Sequence, residues 1–108
     1  MADVIKVLAQ SHPAISTPTD MYTVPINRTA VISSMTICNM GVTSSWRLSV
    51  AIGGAGDEHK QYLYYNVPHA ANDTFTATLG ITLAAGDIVR VYSGNGDMSF
   101  NLFGIEET

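Results

Sequence analysis

From Asp73 to Leu83 the chain alternates at every step: Phe75, Ala77, Leu79, Ile81 and Leu83 are separated by Thr74, Thr76, Thr78, Gly80 and Thr82. Side chains of a β-strand point alternately to its two faces, so one face of this segment is apolar and the other is a ladder of threonines. A helix would scatter the same apolar residues around its circumference. The segment therefore reads as a strand whose apolar face needs a second layer to cover it.

The same period governs residues 46–52, where Trp46, Leu48, Val50 and Ile52 share a face opposite Arg47, Ser49 and Ala51. Further strands are expected over residues 4–9, 21–24, 29–38, 59–67, 88–93 and 98–105, which are rich in β-branched and aromatic residues. Turn chemistry punctuates them at residues 16–20, 25–28, 39–45, 53–57, 68–72 and 84–87. No segment carries a helical period. Short strands with frequent turns and no crossover helices predict an all-β fold, a two-sheet antiparallel β-sandwich of about eight strands. Jelly-roll and immunoglobulin-like topologies both fit this pattern. Gly94-Asn95-Gly96-Asp97, between the last two expected strands, predicts a tight type I′ turn and hence an antiparallel hairpin there.

A chain of 108 residues holds one core of ordinary size. Residues 1–20 differ from the rest, with one short strand followed by a proline-containing stretch, Ser11-His12-Pro13-Ala14-Ile15-Ser16-Thr17-Pro18, that no hydrophobic period ties to the core. The domain organisation expected is an N-terminal strand and extended arm over residues 1–20 and a sandwich over 21–108. Such a segment is either an edge strand plus a surface loop or an arm that reaches a neighbouring subunit through His12, Pro13 and Ile15.

Charged residues make up 13% of the chain, about half the usual quarter. The surface must then be largely Thr, Ser and Asn, which cost less to desolvate than Lys or Glu when another subunit covers them. Strand propensity alone is a second explanation for the threonines. A net charge of -4, with Lys6, Arg28, Arg47, Lys60 and Arg90 dispersed singly, argues against nucleic-acid binding. No run approaches the roughly 20 apolar residues of a membrane span, and residues 1–10 do not resemble a secretion signal. Synthesis in a cytoplasm is the expectation. Cys38, the single cysteine, lies in an apolar strand pattern and is expected to be a buried, inert thiol.

No catalytic motif is present: there is no nucleophile elbow, no phosphate loop ending in Lys-Ser/Thr and no His-Glu-x-x-His pair. Gly53-Gly54-Ala55-Gly56 precedes Asp57 and Glu58 rather than a lysine and a helix, and reads as a strand connection. His12, His59 and His69 are far apart, and only His59 has acidic neighbours; a metal-dependent hydrolase built on His59, Asp57 and Glu58 matches none of the usual ligand spacings. The expectation is a non-enzyme without metal or cofactor. The sequons at Asn27 and Asn72 lack a secretory context. The densest aromatic patch is Gln61-Tyr62-Leu63-Tyr64-Tyr65-Asn66-Val67, where alternation sets Leu63, Tyr65 and Val67 against Tyr62 and Tyr64. With Leu63 inward, Tyr62 and Tyr64 face outward, either as cross-strand pairs or as a subunit interface or sugar-stacking surface.

The segments Met21-Tyr22-Thr23-Val24-Pro25, Thr29-Ala30-Val31-Ile32-Ser33-Ser34-Met35-Thr36-Ile37-Cys38-Asn39, Asp73-Thr74-Phe75, Leu83-Ala84-Ala85-Gly86-Asp87 and Phe103-Gly104 resemble small β-sandwich structural proteins of tailed bacteriophages, the capsid decoration (cement) and fibre-associated proteins. The last strands, residues 83–87 and 100–104, also resemble those of trimeric jelly rolls of the tumour-necrosis-factor and complement type. The resemblance implies a virion subunit on the capsid surface, a homo-oligomer with a trimer favoured, whose partner is the major capsid protein. The alternative it leaves is a binding module of a tail fibre or baseplate, with a host carbohydrate as ligand. Tyr62, Tyr64, His12, Pro13 and Ile15 are then the candidate interface residues.

Overall fold

A computed structural model describes residues 3–108; Met1 and Ala2, which open the expected N-terminal segment, lie outside the described residues. The strands are β1 (Asp3–Ser11), β2 (Thr19–Thr23), β3 (Thr29–Asn39), β4 (Ser44–Ala51), β5 (Tyr62–His69), β6 (Thr74–Leu83), β7 (Ile88–Ser93) and β8 (Met98–Glu107). Two short 3-10 turns, Ile52–Gly54 and His59–Gln61, interrupt the connection from β4 to β5. The second replaces the first residues of the strand expected from residue 59.

The strands form two four-stranded antiparallel sheets, ordered β1-β8-β3-β6 and β2-β7-β4-β5. This is the jelly-roll order, in which the chain passes from one sheet to the other at most connections. An immunoglobulin-like sandwich would instead pair its first two strands in one sheet. The order also overturns the expected C-terminal hairpin: β7 and β8 lie in different sheets, and residues 94–97 carry the chain between them. Gly96 takes a positive φ of 72° there, but the bend is held chiefly by the Asn95 side chain. Its amide nitrogen donates to Val42 O at 2.7 Å, and its oxygen accepts from Asp97 N at 2.8 Å. Asn-Gly chemistry thus marks a turn without specifying which strands it joins.

Between the sheets lie the inward residues of both: Ile32, Met35 and Ile37 on β3, Trp46 and Leu48 on β4, Val89 and Val91 on β7, Met98, Phe100 and Leu102 on β8. Burying each such aliphatic side chain contributes roughly 1.5–3 kcal/mol. Trp46 is fully enclosed, with the rings of Tyr64, Phe75 and Phe100 at 5.2, 5.6 and 6.5 Å between centroids. The threonine ladder of β6 faces solvent as its period requires.

Residues 46–51 keep the expected faces, with Val50 packed against the core beside Trp46 and Leu48, but burial does not follow them. Ser49 and Ala51 are buried although they sit on the outer face, and Ile52 is 80% exposed. The cause is the connection itself: residues 52–61 fold back over the outer face of β4 and β7. Arg90, paired across from Ser49, is buried beneath them. Cys38 also departs from expectation, since Ile37 and Asn39 point inward and leave the thiol half-buried on the outer face.

The N-terminal segment is an edge strand plus a surface loop. β1 pairs with β8 from Asp3 to Ser11 and forms the edge of the first sheet. The loop is fastened to its own domain. The His12 ring donates from Nε2 to Gly96 O at 2.8 Å, Ser16 N donates to Ser93 O at 2.9 Å, and Pro13 is buried.

Candidate functional surfaces

The outer face of the first sheet is uncovered and free of charge over four successive rows. Ile5, Ile105, Val31 and Thr82 stand side by side across β1, β8, β3 and β6, and the next row is Val7, Phe103, Ser34 and Thr78. Gln10, Asn101, Thr36 and Thr76 form the third, and Ser99, Cys38 and Thr74 complete the face. At the β1 side this becomes an apolar patch, with Ile5 82% exposed, Val7 half-exposed and Phe103 and Ile105 partly so. Solvated faces normally carry about one charged residue in four. A face built from apolar and uncharged polar side chains loses little when another protein covers it.

The outer face of the second sheet carries an aromatic cluster that only partly matches the expected one. Tyr62 lies outward as anticipated, but Tyr64 turns inward against Trp46, and Tyr65 takes the outer position at 51% exposed. Two irregularities of β5 cause the exchange. Tyr62 is paired with Ser49 and Tyr64 with Leu48, which leaves Leu63 as an extra residue; a second shift falls between Tyr64 and Val67. Asn66 absorbs the latter with a φ of 51°, a conformation asparagine tolerates better than most residues. Each bulge swaps the faces of the residues on its far side.

Around Tyr65 the geometry is closely packed. The Arg47 guanidinium sits between Tyr65 and Tyr92, 4.3 and 4.0 Å from their ring centroids, and its Nε donates to Asn66 Oδ1 at 2.7 Å. Tyr62 meets Tyr65 edge to face at 5.0 Å, and His59 meets it at 6.4 Å. The Tyr62 hydroxyl donates to Asp57, 2.9 and 3.0 Å from the two carboxylate oxygens. Burial first, and then Asp57, push the Tyr62 hydroxyl above its ordinary pKa. His59, Tyr62 and Tyr65 line a cleft of about 260 Å³. Sequence reasoning missed Tyr65, Arg47 and Tyr92; of the signals available, only Asn66, a residue that accepts positive φ, hinted at the slip.

Of the remaining expected interface residues, Ile15 is exposed and bridges to Ser93, His12 is exposed but occupied with Gly96, and Pro13 is buried. They do not converge with Tyr62. Among the described residues no group of three His, Cys, Asp or Glu side chains could hold a metal ion, so His59, Asp57 and Glu58 form no such centre. Among the described residues no helix is long and apolar enough to cross a membrane. No protein-family model, curated protein or solved structure matches this chain.

Proposed function

We propose that this chain is a structural subunit of a bacteriophage particle, a capsid decoration protein that self-associates and binds the major capsid protein. Its resemblance to small phage virion proteins motivates the reading, and the uncharged outer face of the first sheet is the observation that carries it. A charge-free sheet face with an apolar patch at one edge suits burial against a second copy of itself, because no ion needs to be desolvated or paired. The jelly-roll strand order accords with the likeness of residues 83–87 and 100–104 to trimeric jelly rolls, and the oligomer proposed is a trimer. Several modest contacts on one oligomer would sum to firm attachment to a shell that presents its sites repeatedly.

The test is to mix purified chain with expanded capsids that lack it and to image the particles by electron microscopy. Regular density on the shell at fixed stoichiometry supports the reading. Monomeric protein that leaves the shell bare, or density confined to the tail, refutes it.

A further inference from the structure

We infer that the cleft between His59, Tyr62 and Tyr65 is a saccharide site that takes one pyranose ring against the exposed side of Tyr65. It lies on the second sheet, away from the proposed assembly face, and does not depend on the virion role.

Three observations select a sugar. The C–H groups of a pyranose are weakly positive and pack against aromatic rings, and Tyr65, 51% exposed with Arg47 over one face, lines the cleft with the rings of Tyr62 and His59. Groups able to bond sugar hydroxyls are at hand: the Tyr62 side chain lines the cleft and its hydroxyl is bonded to the Asp57 carboxylate, which retains acceptor capacity, and the His59 ring lines the cleft as well. The cleft, at about 260 Å³, is smaller than the roughly 300 Å³ at which drug-sized pockets begin, so it suits a single ring.

Two rival ligand chemistries fit less well. A quaternary ammonium needs rings that stand apart to box it, whereas Tyr62 and Tyr65 already touch edge to face at 5.0 Å. A phosphate needs a free guanidinium, and Arg47 is clamped between two tyrosines with its Nε on Asn66, while Asp57 repels anions.

The loop that supplies Asp57 and His59 is also built to hold them. Arg90, 9% exposed, donates to Ala55 O at 3.2 Å, and Gln61 Nε2 donates to Gly56 O at 2.7 Å. Gln61 Oε1 accepts from Glu58 N at 3.2 Å, and Gln61 N donates to Glu58 O at 3.1 Å. These bonds fix residues 55–61 before any ligand arrives, which lowers the ordering cost of binding.

The experiment titrates the full chain with methyl glycosides of glucose, galactose, mannose, rhamnose and N-acetylglucosamine, following aromatic ring signals by NMR. Tetramethylammonium and inorganic phosphate serve as rival probes. At least one glycoside should bind saturably in the millimolar range and shift Tyr62 and Tyr65. Tyr65→Ala should weaken it at least tenfold and Asp57→Asn several-fold, with Tyr65→Leu replacing the alanine variant if that one misfolds. Tyr64→Phe should leave affinity unchanged. No glycoside binding up to about 20 mM, a response to a rival probe instead, or wild-type affinity in the Tyr65 variant would each overturn the inference.

Discussion

The hydroxyl of Tyr22 on β2 donates a hydrogen bond to the carboxylate of Glu106 on β8, joining the two sheets through an acid that is 2% exposed. Lys6 Nζ and Arg28 Nη1 complete the cluster at 3.0 and 3.2 Å from Glu106 Oε1. One buried carboxylate therefore ties β1, β2, β8 and the β2–β3 connection together at one end of the sandwich.

This cluster sets limits on stability at both ends of the pH scale. The Tyr22 hydrogen bond, reinforced by Lys6 and Arg28, outweighs burial and holds the Glu106 pKa below its ordinary 4.5. Its contribution is thus fully present above about pH 4.5 and is lost as pH falls through the lower folded-state value. Burial first, then Glu106, raise the pKa of Tyr22 from its ordinary 10.0, so that contribution is fully present below about pH 10 and begins to be lost above it, as pH rises toward the higher folded-state value. Denaturant titrations from pH 2 to 11 should show both limbs, with Glu106→Gln flattening the acid limb and Tyr22→Phe the alkaline one. Each variant should cost about 2 kcal/mol near neutrality, and the double variant less than the sum.

Gly104 is irreplaceable for a steric reason. A Cβ there would stand 2.1 Å from Val31 O, on the strand to which β8 is bonded. Gly104→Ala should therefore cost at least 3 kcal/mol, on the order of the largest single-substitution effects, or abolish folding, as read by thermal unfolding. Gly56→Ala, where a Cβ meets open space, is the control and should change stability by about 0.5 kcal/mol or less.

Trp46 fills the centre of the core, yet its indole N–H is buried without a hydrogen-bond partner among the described residues. Trp46→Ala should destabilise by about 3–5 kcal/mol through the cavity it opens. Trp46→Phe removes the unpaired donor along with the extra ring and should cost less than half as much. Intrinsic fluorescence, which Trp46 dominates as the single tryptophan, should be blue-shifted in the native state and move to the red on unfolding.

Arg90 anchors the residues that fold over the second sheet, bonding Asp20 at 2.7 Å as well as Ala55 O. Arg90→Met keeps much of its bulk but none of its donors. Amides of residues 53–61 should then exchange with deuterium at least tenfold faster, while those of β3 and β8 stay protected. Unchanged protection in the loop would mean that Arg90 does not hold it.

How far the sequence reached can be seen strand by strand. The period of Phe75 to Leu83 carried the true faces of β6, because the register shift against β3 between Thr78 and Ile81, where Gly80 takes a positive φ, leaves the apolar residues on the inner side. Tyr64 and Tyr65 exchanged faces because two bulges in β5 answer to pairing with β4, a partner local alternation does not contain. Ser49 and Ala51 keep their expected outer face, but their burial was not legible, because what covers them is the following connection, folded back and held by Arg90. Gly94-Asn95-Gly96 announced a turn, but whether a turn joins paired strands or crosses between sheets is decided by the whole sandwich. Of the surfaces, Tyr62 and the threonines were legible, whereas the apolar patch of Ile5, Val7, Phe103 and Ile105 emerges only when β1 and β8 lie side by side.

The proposed meeting place of copies of this chain is the uncharged face of the first sheet. Light scattering coupled to size-exclusion chromatography, on the wild type and on Val7→Glu with Phe103→Glu, tests it most directly. The expected result is a trimer that the paired substitutions convert to a folded monomer, with an unchanged circular-dichroism spectrum. A wild type that is monomeric at 100 µM, or an oligomer indifferent to both charges, would contradict it.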